Sequence, residues 1–134
     1  MLKTFHGSCH CGAVAYEVDL DLAKGTGRCN CTFCLKARAW TAFVKPGDFR
    51  ITRGADSVVS YRRQAEAPEK FHCPTCAVRT HSTGDADYSD GPFVGVFVST
   101  LDDATPEEFA DAPIHYSDGR HDNWQNPPKI TSYL

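Results

Sequence analysis

Apolar and polar positions along this chain recur with a period of two more often than with helical spacing. Val14, Tyr16 and Val18 alternate with Ala15 and Glu17, the pattern of a strand with one buried face. Ala39–Val44 reads as a second strand, and Lys45-Pro-Gly-Asp48 as the turn that ends it. Phe49–Thr52 and Val58–Tyr61 predict further strands, divided by Arg53-Gly-Ala-Asp56, and Glu69–His72 leads into a cysteine pair. Phe93–Ser99 is the most apolar run and predicts a buried strand, with Ile114–Tyr116 as a last one. Helix is scarce. Its clearest signal is Thr105-Pro-Glu-Glu108, with an N-cap, Pro at the first helical position and Glu three residues after the cap. From Asp118 to Pro128 the chain predicts an ordered loop anchored by Trp124. The pattern is that of an all-β domain of short strands.

Composition limits how much can be built. With 134 residues and 41% apolar side chains, the chain makes one domain, 1–134, and leaves no room for a second. The run Pro92–Val98 is far shorter than the ~20 residues of a membrane-spanning helix, and Met1–His6 lacks the apolar centre of a signal peptide, so the expectation is a cytoplasmic protein. The 14 basic and 17 acidic residues form no block of like charge, which argues against nucleic-acid or membrane-surface partners.

The outlying number is seven cysteines, an odd count that forbids complete internal disulfide pairing. They fall into three groups: Cys9-His-Cys11, Cys29-Asn-Cys31-Thr-Phe-Cys34 and Cys73-Pro-Thr-Cys76. A solitary cysteine is usually a small buried hydrophobe, but three clusters are poorly explained that way. Redox pairs are the other alternative, and no thioredoxin-like strand-helix pattern surrounds them. In a reducing compartment such clusters are more often metal ligands. Zinc takes four soft ligands, and a CxxC turn offers two thiolates from one tight loop. Seven ligands divide naturally into Cys9, Cys11, Cys73 and Cys76 around one ion and Cys29, Cys31 and Cys34 around another. Four ligands fit a closed structural site, three an open catalytic one. A zinc-ribbon pairing of Cys31 and Cys34 with Cys73 and Cys76 is also compatible with the spacing.

Gly7-Ser-Cys-His-Cys-Gly12 before an Ala-Val-x-Tyr-x-Val strand, Arg28-Cys-Asn-Cys-Thr-Phe-Cys34 and Phe71-His-Cys-Pro-Thr-Cys76 together resemble the glutathione-dependent formaldehyde-activating enzyme family, which includes centromere-protein-V-like domains. The resemblance covers about residues 4–99 and loosens in the tail, 118–134. It implies a two-zinc β-tent fold of short antiparallel sheets, with Cys9, Cys11, Cys73 and Cys76 holding the structural zinc and Cys29, Cys31 and Cys34 the catalytic one. Two departures stand out. Ala77 occupies a position where the family usually has Gly, at a cost of about 1 kcal/mol if φ is positive there. The segment His115–Trp124 matches the family's usual ending poorly, which bears on substrate identity.

Three thiolates on a divalent ion leave a formal net −1, so this unit is a weak acidifier of water and favours a soft fourth ligand. An incoming thiol bound there is deprotonated and becomes a nucleophile for an aldehyde carbon. The resemblance implies glutathione and formaldehyde, hence an S-(hydroxymethyl)glutathione synthase or related carbon-sulfur lyase. The rival reading is a non-catalytic protein-interaction or thiol-carrier module with both zincs structural. Arg28, Lys36 and Arg38 flank the triplet as candidate carboxylate partners, against solvated surface charge. His10 is expected to point away from the metal. His72, His81, His115 and His121 lack any spacing that ties them to the triplet. Asn30 and Thr32 either donate to a ligand or shape the loop, and Phe33 and Trp40 are expected in the core.

Overall fold

The computed structural model describes residues 1–134. In chain order the strands are β1 (Lys3–Ser8), β2 (Ala15–Leu20), β3 (Thr26–Cys29), β4 (Thr41–Val44), β5 (Phe49–Arg53), β6 (Val59–Tyr61), β7 (Glu69–His72), β8 (Arg79–Ala86), β9 (Gly91–Phe97) and β10 (Ile114–Ser117). Two short helices interrupt them, α1 (Thr32–Ala37) and α2 (Pro106–Asp111). Alternation in β2 buries Tyr16, Val18 and Leu20 on one face, and β2 becomes the middle of a three-stranded antiparallel sheet in the order β1-β2-β5. The remaining strands form a seven-stranded sheet in the order β10-β3-β4-β9-β8-β7-β6.

The two sheets close over one apolar cluster that includes Phe5, Tyr16, Val18 and Leu20 from one side and Ala42, Val94, Val96 and Val98 from the other. The segment expected to be most buried is so: β9 has five consecutive buried residues, Phe93 to Phe97. It lies between β4 and β8, covered on both faces. Gly7 is required where it stands, because a Cβ there would fall 2.2 Å from the ring of Tyr16. That ring reaches through the core to Thr100, with 2.7 Å between the hydroxyls. A second, smaller cluster joins Cys9, Val14 and Cys73 with Val58, Cys76 and Val78, so the four-cysteine region has its own apolar surround.

The all-β expectation with little helix holds, and α2 begins with the capping box read from Thr105 and Glu108. One ladder departs from antiparallel pairing: β10 runs parallel to β3. A parallel pair needs a long connection, and most of the chain lies between these two strands. That pairing brings the tail to the cysteine triplet, since Ser117 is the register partner of Cys29.

Candidate metal centres

Cys9 and Cys11 follow β1, while Cys73 and Cys76 follow β7, and each pair sits on a tight turn. The Gly12 amide donates to the Cys9 carbonyl at 3.2 Å and the Ala77 amide to the Cys73 carbonyl at 2.9 Å. Such turns aim free N–H groups at sulfur: Val14 donates to Cys9 Sγ and Thr75 to Cys73 Sγ, each at 3.3 Å. Ala77 takes φ of 63°, the left-handed conformation that the family's glycine would adopt without strain. All four sulfurs lie within 4.8 Å of one another. The Cys9–Cys11 and Cys11–Cys73 separations are 3.7 and 3.6 Å. A tetrahedral ion with metal–sulfur bonds of about 2.3 Å requires sulfurs about 3.8 Å apart, so this donor set fits such an ion. Backbone N–H groups of Cys11 and Val78 pull the Cys76 thiol down to about 6, toward the thiolate a metal needs.

The triplet is assembled by one turn of chain. Cys29 ends β3, Cys31 caps α1 and Cys34 lies within that helix. The Cys31 amide donates to Cys29 Sγ at 3.3 Å and the Cys34 amide to Cys31 Sγ at 3.4 Å. Arg38, at φ of 53°, terminates α1 in the left-handed conformation. The three sulfurs also lie within 4.8 Å of one another. Hydrogen bonds from Cys29 and Cys34 pull the Cys31 thiol far down, whereas its own hydrogen bonds with Cys29 and Cys31 drive Cys34 up. Three sulfurs this close cannot all ionise without a cation among them, and this too fits a metal-binding group. The zinc-ribbon alternative is not realised: Cys31 and Cys34 group with Cys29, not with Cys73 and Cys76.

The tail packs on this triplet. Asn30, only 2% exposed, donates from Nδ2 to Asp118 Oδ1 at 2.7 Å and accepts from the Arg120 amide at 2.9 Å. Asp118 also accepts from His121 Nδ1 at 2.9 Å, and the bonds from Asn30 and His121 hold its carboxyl below the usual range. Gly119, just beyond, lies against both Cys29 Sγ and the Trp124 ring. The loop is therefore ordered as expected, but its anchor is the Asn30–Asp118 pair; Trp124 remains 53% exposed.

The family profile for glutathione-dependent formaldehyde-activating enzyme matches residues 4–118, the span that carries both cysteine groups. The chain belongs to this family. It is also similar to a Rhodobacter sphaeroides protein known from a crystal structure, with 31% identity and a TM-score of 0.68, over 82% of this chain and 99% of that one. The glutathione-dependent formaldehyde-activating family assignment rests on the profile match, and the Rhodobacter sphaeroides structure shares the fold.

On this family framework the other residues singled out in the sequence take distinct places. His10 is exposed. His81 is buried between Phe71 and Phe49, with ring centroids 4.7 and 4.8 Å away, and burial lowers its pKa to about 4. His115 contacts Gly25, and no histidine belongs to either sulfur group. Trp40 packs against the main core and donates from Nε1 to Thr26 Oγ1 at 2.7 Å, with Arg28 over its ring. Lys36 is exposed, and Arg38 donates from Nη1 to the Tyr133 carbonyl at 2.7 Å.

Phe33 is the exception. It was expected in the core, but the α1 turn that directs Cys31 and Cys34 inward carries Phe33 onto the β6–β7 end of the large sheet. It stacks on Tyr61 at 6.0 Å with 13° between the rings. Lys70 Nζ stands 4.7 Å and Arg79 Cζ 5.0 Å from its centroid. Neither cation was apparent as a neighbour of the triplet, because only the sheet register brings them there.

Proposed function

We propose that this chain is a zinc-dependent carbon-sulfur lyase-type enzyme that joins a small thiol such as glutathione to a small aldehyde such as formaldehyde, or releases the two again. In the forward direction a carbon-sulfur bond forms, the carbonyl π bond opens and the thiol proton ends on the aldehyde oxygen, giving a hydroxymethyl thioether with no net oxidation. The observation that carries this reading is the unequal division of sulfurs, four in one group and three in the other. Zinc bound by the triplet would supply a position at which an arriving thiol gives up its proton.

The residues around that position have separate tasks. Cys29, Cys31 and Cys34 would hold the ion, and the amides of Cys31 and Cys34 fix the sulfurs of Cys29 and Cys31 in place. Asn30 ties the triplet loop to Asp118, which brings Gly119 and Trp124 over the Cys29 side and shields that sulfur from water. Cys9, Cys11, Cys73 and Cys76 form the closed structural site, which secures the turns at the ends of β1 and β7. The exposed end of α1 is left as the approach for substrate.

The test is exchange spectroscopy with 13C-formaldehyde and glutathione. Zinc-loaded protein is expected to speed interconversion of formaldehyde and its glutathione adduct above the spontaneous rate, and Cys31→Ser to abolish that gain. No acceleration by the intact two-metal protein would contradict an enzymatic role and favour a thiol carrier or interaction module.

A further inference from the structure

The group around Phe33 contains an electrostatic imbalance. Tyr61 and Lys70 are direct partners across the β6–β7 ladder, and His72 and Arg79 across the β7–β8 ladder, so both pairs reach the same end of the sheet. Lys70 and Arg79 therefore converge on one aromatic ring. Neither forms an ion pair: the nearest acid on these strands, Glu69, is taken by Arg62 at 2.7 Å, and the polar contact of Lys70 is the Pro68 carbonyl at 3.3 Å. Arg79 Nε and His72 Nδ1 are buried atoms with no hydrogen-bond partner. Two half-buried cations brought together, with the Arg79 Nε donor unspent, are unfavourable unless an anion joins them.

The triplet supplies part of that anion. Lys70 and Arg79 both stand over the ring of Phe33, the α1 residue next to Cys34. Three thiolates around a divalent ion carry a formal −1, against two cations, so one positive charge stays unmatched. Phe33 lies between Cys31 and Cys34 in sequence, which puts the unmatched charge a short reach from the position where substrate sulfur would bind. The guanidinium fork suits a planar carboxylate, and the Phe33–Tyr61 stack sets an apolar surface beside it.

We infer that Lys70 and Arg79, set against Phe33 and Tyr61, form the carboxylate-binding subsite for the thiol, so that the chain selects thiols bearing a carboxylate over neutral ones. This rests on the open three-cysteine site proposed above, and it makes Lys70 and Arg79 specificity determinants.

The experiment titrates cobalt-loaded protein with glutathione and, separately, with its diethyl ester, following the sulfur-to-cobalt charge-transfer band. The intact protein should prefer the free acid by about tenfold or more. Lys70→Gln and Arg79→Gln should each bring the ratio toward one, and Lys70→Arg should retain it. Equal affinity for acid and ester in the intact protein, or an unchanged preference in both glutamine variants, would overturn the subsite. S-methylglutathione, whose sulfur has no proton to lose, separates the two proposals by calorimetry. If no thiol, 2-mercaptoethanol included, alters the band, yet S-methylglutathione binds and both glutamine variants lose that binding, the open metal position fails and the subsite stands. Failure of S-methylglutathione to bind the intact protein would count against the subsite.

Discussion

The backbone of Gly119 rests on the sulfur of Cys29: a methyl group at its Cα would stand 2.6 Å from Sγ and 2.5 Å from the Trp124 ring. The Trp124 ring is half exposed and can swing away, but Cys29 Sγ is fixed by the Cys31 amide and the Arg120 backbone beside Gly119 by Asn30. Gly119→Ala is therefore expected to lift the tail and expose one side of the triplet. Of the two metal equivalents, the one more easily lost to a chelator should weaken about tenfold, with the other unchanged. Titration with a chromogenic chelator checks this, and identical curves for both proteins would show that the contact does not support the site.

Ala77 offers the opposite opportunity. At φ of 63° it carries a left-handed strain that glycine lacks. Part of the relief is offset by the greater freedom of glycine in the unfolded chain. Ala77→Gly should stabilise the metal-loaded protein by about 0.5–1 kcal/mol, seen as a higher urea midpoint at constant slope.

The two cysteine groups differ in what surrounds them. Cys73 is wholly buried in the smaller apolar cluster, whereas α1, which carries Cys34, has no buried residue. A structural zinc contributes on the order of 10 kcal/mol to folding. Cys73→Ser should consequently unfold much of the chain, while Cys34→Ser should lose one metal and keep the core. Near-ultraviolet circular dichroism of the two variants distinguishes these outcomes, and equal loss of signal would contradict unequal roles.

His81 makes stability depend on pH. Buried between two aromatic rings, it is neutral in the native state, with its pKa lowered from 6.5 to about 4. The unfolded chain binds a proton first, so stability is full above pH 6.5 and falls as pH drops toward 4. The contribution is about 3 kcal/mol at most. In urea titrations at several pH values, His81→Phe should lack this component relative to the intact protein, while acid-driven loss of metal is common to both. Parallel stability curves for the two proteins would remove His81 as the cause.

Residues whose neighbours lie close along the chain are legible in the sequence: the capping box at Thr105, the alternating strand around Tyr16 and the three cysteine clusters. The joining of Cys9 and Cys11 with Cys73 and Cys76, 62 residues apart at Cys11 and Cys73, comes from the family resemblance, because spacing also allows the zinc-ribbon pairing. Elements without local apolar signal are not legible. β8 buries Thr80, His81 and Ser82, a polar run that reads as a loop until β7 and β9 flank it. β3 is four residues with Gly27 near its centre, and α1 owes its shape to Cys31 as cap and Cys34 as a site residue more than to any apolar face. The Lys70–Arg79–Phe33 convergence depends on register across three strands, including the shift between Phe71 and His72. Residue spacing carries no record of such a shift.

The unequal sulfur count is tested most directly by X-ray absorption at the zinc edge of the two-metal protein, before and after glutathione. Four sulfurs at one ion and three at the other give a mean of about 3.5 per zinc, rising toward four when the thiol binds the triplet's ion. A mean that stays at its starting value with saturating glutathione would contradict an open position for thiol.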